Sequence, residues 1–278
     1  MSAEKRKCGV NAARMDFGVY RQTEYNMVIL KGSVTMSGHS KWNNIKRKKE
    51  KTDAAKAKVF TKIGREISVI VKTGGANPNE NSKLKDAIAK AKAANVPNEN
   101  IERIIKKAAG DGEANNYEEL IYEGYGPSGV AVVVETLTDN RNRTAGEMRH
   151  YFDKCGGNLG QSGSVMFMFD RKGIIQIEAE GLDEDTVMEA ALEAGADDFN
   201  FDGDVFEIST DPNELGTVRD ALEKAGYSFL SAEVEYVPQT MSTIEDEDTA
   251  AKMEKLIDML EENDDVQAVW HNWDMPEE

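Results

Sequence analysis

The sequence predicts an α+β fold: a basic N-terminal helical bundle followed by two α/β domains, the third domain inserted into the second. Three observations predict it. The charge divides at one place, because the first 110 residues hold 24 Lys and Arg against 10 Asp and Glu, and the remaining 168 hold 10 against 41. The hydrophobic spacing changes at the same place, from helical periodicity to β-branched runs. Beyond it, a complete unit of strands and helices is flanked on each side by an incomplete one. A length of 278 residues suits two or three small cores better than one large core.

Residues 1–35 have mixed polarity and no sustained period, and are expected to be a disordered extension, with the coherent chain starting at Met36. Residues 36–112 read as the basic helical domain. Thr52 or Asp53 can cap a long helix that runs to about Thr73 and stops at Gly74-Gly75. On that helix Val59, Phe60, Ile63, Ile67, Ile70 and Val71 share one face, while Lys58, Lys62, Arg65 and Lys72 form a cationic stripe on another. A second helix near Asn81–Ala94 carries Leu84, Ile88 and Ala91. A third follows Val96-Pro97-Asn98, with Glu99 and Glu102 in its first turn and Lys106 and Lys107 in its last, as the helix dipole favours.

After Gly110-Asp111-Gly112 the character becomes mixed. Val130–Thr136 reads as a buried strand, Arg141–Cys155 as a helix stopped by Gly156-Gly157, and Ser164–Phe169 as a second strand. The glycine clusters Gly124–Pro127 and Gly156–Gly160 read as turns. Then come strand Ile174–Glu178, helix Glu184–Ala194, strands Asp198–Phe201 and Val205–Ser209, helix Asn213–Ala225 and strand Phe229–Tyr236. That β-α-β-β-α-β order is the ferredoxin-like signature. After Pro238 one amphipathic helix (Ala250, Met253, Leu256, Ile257, Leu260) and one strand (Val266–Trp270) remain. A lone amphipathic helix would leave its apolar stripe wet. The expectation is therefore that residues 113–170 and 240–278 form one domain, with residues 171–239 inserted as the ferredoxin-like third.

The densest positive segment holds Lys41, Trp42, Lys46, Arg47, Lys48, Lys49 and Lys51. Its cations can neutralise phosphates and release counterions, and Trp42 can stack on a base or pack on the bundle. The stripe Lys58, Lys62, Arg65 and Lys72 continues that surface. A smaller island, Arg141, Asn142 and Arg143, opens a helix whose N-terminus is itself favourable to anions; a local salt-bridge network is the competing account for its arginines. A nucleic acid should meet such a protein at its basic end, because the acidic remainder repels phosphate.

Other chemistries find little support. Cys8 and Cys155 lie far apart, and His39, His150 and His271 are scattered, so neither a disulfide nor a metal site is expected; a reducing cytoplasm suits the thiols. The segment Asp198–Asp204 imitates the start of a calcium loop, but position twelve is Ser209, and Asp202-Gly203 reads better as a hairpin turn. No apolar run approaches a membrane span. With no nucleophile beside a base, neither an enzyme nor a cofactor is expected.

Five segments carry a resemblance. They are Met36–Lys46 (MSGHSKWNNIK), Phe60–Glu66 (FTKIGRE), Tyr122–Pro127 (YEGYGP), Thr138–Thr144 (TDNRNRT) and Lys154–Gly160 (KCGGNLG). Together they closely resemble the YebC/PmpR family, which includes the mitochondrial translational activator of cytochrome oxidase, over a match from Met36 to about Asn272. The resemblance implies a three-domain, non-enzymatic cytosolic protein acting in gene expression. Family members are described as probable transcriptional regulators that bind DNA, or as ribosome-associated translation factors that relieve stalling at proline-rich stretches. The partner expected is thus DNA or ribosomal RNA, with the ribosome itself under the second description. A protein-only scaffold working through its acidic domains is a third possibility.

Overall fold

The computed structural model describes residues 53–110 and 117–275. The extension expected over residues 1–35 and the basic run from Lys41 to Lys51 lie outside them. Three helices come first: α1 (Asp53–Gly74), α2 (Ser82–Ala93) and α3 (Asn98–Ala109). They bury Ile63, Ile67 and Val71 of α1 against Leu84, Ala87 and Ala91 of α2 and Ile101 of α3. Val59, expected on the apolar face of α1, is 38% exposed. Asn81 joins α1 to α2. Its Oδ1 accepts from the Leu84 N–H at 3.2 Å, and its amide donates to the carbonyls of Ile70 and Gly75 at 3.2 and 2.9 Å.

Strands β1 (Glu118–Tyr125) and β2 (Ala131–Thr138) form a hairpin, followed by α4 (Arg141–Cys155) and the short β3 (Asn158–Leu159). The chain then leaves for the next sheet and returns as α7 (Glu247–Glu262) and β8 (Val266–His271). Strand β8 pairs antiparallel with β2, with Val132 opposite His271 and Val134 opposite Val269, giving the order β3-β1-β2-β8. Helices α4 and α7 cover one face of this sheet through Met148, Phe152, Met253, Leu256, Ile257 and Leu260. On the other face Ala131 and Val133 meet Val165, Phe169 and Trp270. Burial on both faces is why β2 reads as a continuous apolar run.

The inserted part holds β4 (Phe169–Glu178), α5 (Glu184–Ala194), β5 (Asp198–Phe201), β6 (Val205–Thr210), α6 (Leu215–Lys224) and β7 (Ser231–Pro238). The order β5-β6-β4-β7, antiparallel throughout, is the ferredoxin-like arrangement. Helices α5 and α6 pack on one face over Ile175, Ile177, Phe206 and Ile208. Asp202-Gly203 turns the β5–β6 hairpin, with Gly203 at φ +64°.

Three elements depart from expectation, the shortest being β3, which pairs with β1 inside the Gly156–Gly160 cluster expected to be a turn. Strand β1 stands where no strand was expected, and Gly124-Tyr125 close it instead of forming a turn. Glu118, Glu119, Glu123 and Gly124 break the apolar alternation that would have marked it. The strand expected over Ser164–Phe169 is instead a turn and a 3-10 helix (Met166–Met168), and β4 begins at Phe169. The amides of Val165 and Met166 are held by the Glu123 carboxylate at 2.9 and 2.8 Å, so they take no part in a ladder.

Candidate nucleic-acid interface

The i, i+4, i+7 spacing of Lys58, Lys62 and Arg65 puts all three on one face of α1. That face lies against the C-terminal end of α7. The Lys58 ammonium donates to the Glu262 carbonyl at 3.2 Å and the Lys62 ammonium to the Glu261 carbonyl at 2.8 Å. Arg65 Nη1 donates to the Asp264 carbonyl and to Asp265 Oδ1, both at 2.9 Å. Carbonyls at the end of a helix lack intrahelical partners and carry the negative pole of its dipole, so they suit cations. The Arg65 guanidinium also sits 5.7 Å from the centre of the Tyr117 ring.

Asp265 is the meeting point of the two basic islands. It is 4% exposed. Its Oδ2 accepts from Arg143 Nη2 at 2.7 Å and from the hydroxyls of Thr138 and Thr144 at 3.1 and 2.8 Å. Burial alone would raise its pKa, but these hydrogen bonds outweigh burial and hold the carboxyl below its ordinary 3.8. The same contacts, with Asp139, raise the Arg143 pKa. Asn140 caps α4 by accepting from the Arg143 N–H at 3.1 Å. The segment Thr138–Thr144 therefore divides by role. Thr138, Asn140, Arg143 and Thr144 build the helix start and hold Asp265, while Arg141 and Asn142 are exposed on the first turn.

The helical bundle also meets the inserted sheet through charge. Arg219 of α6, nearly buried, bonds Asp86 of α2 at 2.6 Å and its neighbour Asp220 at 2.8 Å; Lys85 reaches Asp220 at 2.7 Å. Lys90 lies between Glu66 and Glu233 at 3.3 and 3.5 Å. Burial opposes its charge, yet these carboxylates raise its pKa.

Of the expected contact residues, the structure thus brings Lys58, Lys62, Arg65 and Arg143 together, around Glu261–Asp265. Lys72 lies in the last turn of α1 with its side chain exposed. Lys41, Trp42, Lys46, Arg47, Lys48, Lys49 and Lys51 fall outside the described residues. Further exposed cations on the bundle are Lys83 and Lys92 on α2 and Arg103, Lys106 and Lys107 on α3. Asp265 carries no distinguishing sequence signal, being one of 41 acidic residues beyond Gly110. Among the described residues no cluster of three or more metal-ligating side chains occurs, and no helix is long and apolar enough to cross a membrane.

Comparison with known proteins extends these observations. A family model described as the TACO1/YebC protein N-terminal domain matches residues 40–111, and a second, described as the TACO1/YebC second and third domain, matches residues 117–273. A "probable transcriptional regulatory protein" of Acetivibrio thermocellus is 62% identical over 239 residues, covering 86% of this chain and 99% of that one. One of the same description from Clostridium novyi is 58% identical over 244 residues, covering 87% and 99%. The crystal structure of a conserved hypothetical protein from Aquifex aeolicus has a TM-score of 0.75 at 50% identity, covering 82% of this chain and 94% of that one.

Proposed function

The chain belongs to the TACO1/YebC family, and on that premise we propose that it is a nucleic-acid-binding regulator of gene expression that grips phosphate with its N-terminal helical domain. The observation that carries the proposal is the segregation of charge: 24 of 34 basic residues occupy the first 110 positions, and 41 of 51 acidic residues lie beyond them. Lys41, Lys46, Arg47, Lys48, Lys49 and Lys51 supply the phosphate contacts, with Trp42 beside them as a stacking surface. Lys72, Arg141 and Asn142 extend that surface. Lys58, Lys62, Arg65 and Arg143 reach phosphate only by leaving the α7 end and Asp265. The names of the relatives agree with a regulator.

A second role, a translation factor on ribosomal RNA, has an observation in its favour. Helices α2 and α3 are joined by a tight turn around Asn95 (φ +60°), as in a helix-turn-helix. The first turn of α3 nevertheless carries Glu99, followed by Glu102, where a DNA reader would place groups that contact bases. Carboxylates there oppose entry into a phosphate-lined groove, and recognition of RNA by shape does not need that helix.

Fluorescence anisotropy with labelled duplex DNA and single-stranded RNA, titrated with salt, tests the proposal. Binding should weaken steeply as salt rises. Changing Lys46, Arg47, Lys48 and Lys49 together to Gln should reduce the log–log salt slope by about 3. Absence of binding to both nucleic acids at about 50 mM salt would refute it. A marked preference for DNA would favour the transcriptional role over the ribosomal one.

A further inference from the structure

The loop between β3 and β4 presents one aromatic ring to solvent from a rigid mount. Phe167 is 70% exposed, while the other large exposed apolar residues among those described lie between 37% and 53%. Its neighbours are fixed. Val165 is fully buried and Phe169 is 6% exposed, and Met166 and Met168 pack against the same cluster. The Glu123 carboxylate beneath the loop accepts from the N–H groups of Gly163, Val165 and Met166 at 2.6, 2.9 and 2.8 Å. Burial would raise the Glu123 pKa, but these bonds lower it, so the group remains an acceptor. The Tyr125 hydroxyl donates to the Ser164 carbonyl at 3.0 Å, and the Gln239 N–H to the Met168 carbonyl at 2.9 Å. Anchored on both sides, the backbone cannot fold Phe167 inward without breaking several of these bonds.

The electrostatic setting is unusual for this part of the chain. Beyond Gly110 about one residue in four is acidic, yet the sixteen residues from Lys154 to Phe169 include none. Asp153 and Asp170 bound the stretch, and Asp170 accepts a hydrogen bond from Gln239 at 2.9 Å. The exposed positions within the loop are small or neutral: Gln161, Ser162 and Gly163.

We propose that Phe167 is a stacking platform for an unpaired base of a single-stranded nucleic acid, a second contact point apart from the basic domain. An aromatic face held in place, in a loop whose other exposed residues are Gln161, Ser162 and Gly163 and which carries no carboxylate, suits base stacking. A protein anchor would call for a wider apolar patch, whereas the flanking Met166 and Met168 are packed on the core cluster and Phe167 is the loop's one exposed apolar side chain. The inference rests on the nucleic-acid reading above, and it goes further by placing a base contact in the second domain.

The test uses the full chain and a short unstructured RNA containing 2-aminopurine, which is quenched when it stacks. Wild type should quench the probe. Phe167→Ala should weaken binding roughly tenfold and abolish quenching, with the salt slope unchanged because no phosphate contact is lost. Phe167→Trp should restore both. Because the side chain is already exposed, neither variant should shift the melting temperature. If wild type binds RNA but Phe167→Ala binds equally well with equal quenching, the platform is overturned while the basic-domain proposal stands. If Phe167→Ala spares RNA binding but loses ribosome co-sedimentation, the ring is a protein anchor and the inference fails. If wild type binds no nucleic acid at all, both proposals fall.

Discussion

Replacing Asp265 with Asn probes how the basic helices are held to the rest of the molecule. The carboxylate receives Arg65 on one oxygen, and Arg143, Thr138 and Thr144 on the other. Asparagine keeps the shape, but it removes the charge and can accept at one end only. Its amide nitrogen must then face a guanidinium. Breaking a fully buried ion pair costs about 3–5 kcal/mol. Here the Arg65 and Arg143 side chains retain 22% and 43% exposure, and solvent screening lowers the cost. A loss of about 2–3 kcal/mol is expected once that screening is applied. Urea unfolding followed by tryptophan fluorescence suits the measurement, because Trp270 and Trp273 lie on and just after β8, which Asp265 precedes. With a slope of about 2 kcal/mol/M the midpoint should fall by about 1–1.5 M. The pH dependence is a second check. Asp265 has a folded pKa below its unfolded one, so its stabilisation is complete above the ordinary carboxylate range and fades as the pH falls through the folded value. The gap between wild type and Asp265→Asn should therefore narrow as the pH falls below the ordinary carboxylate range. A variant as stable as wild type at pH 7, or a gap that persists unchanged in acid, would refute the reasoning.

Three further outcomes are expected, one at the same contacts and two elsewhere in the second domain. Changing Lys62 and Arg65 together to Gln should lower stability by about 1–2 kcal/mol in urea, since both bond the end of α7; in anisotropy titrations it should reduce nucleic-acid affinity less than neutralising Lys46, Arg47, Lys48 and Lys49. His271 is fully buried, and burial pushes its pKa down to about 4 from 6.5. The unfolded chain takes up that proton first, so stability should fall by up to about 3 kcal/mol as pH drops from 6.5 towards 4, and His271→Leu should flatten the melting temperature over that window. At Gly124 of β1 an added Cβ would lie 2.7 Å from both the Asn158 carbonyl oxygen and Phe152 Cε1. Gly124→Ala should therefore cost about 1–3 kcal/mol in thermal or urea unfolding, because strand β3 and a core ring would both have to move.

Much of the architecture was legible because it is written in local periodicity. The end of α4 follows from the glycine stop at Gly156, which is in the left-handed region, and α5 ends the same way at Gly195. The return of the C-terminus followed from an imbalance: α7 had an apolar stripe and no partner, and β2 was a buried strand with too few neighbours. Strand β1 and the Val165–Met168 segment were not legible. In β1 the residues Glu118, Glu119, Glu123 and Gly124 break the apolar alternation, and the Val165–Met166 backbone is held by the Glu123 carboxylate more than forty residues away, farther than a local window of sequence reaches.

The candidate site divides along the same line. The sequence alone determined that positive charge collects in the first 110 residues and that Lys58, Lys62 and Arg65 share a helical face, because charge and periodicity are properties of the chain read in order. Only the tertiary structure decided what that face meets. The helix dipole of α7 and the carboxylate of Asp265, some 200 residues further on, engage three of the stripe's cations, and the same carboxylate engages Arg143. Opposite charges within one chain attract as strongly as those between chains, and which pairing prevails is settled by where folding places the negative end of a helix.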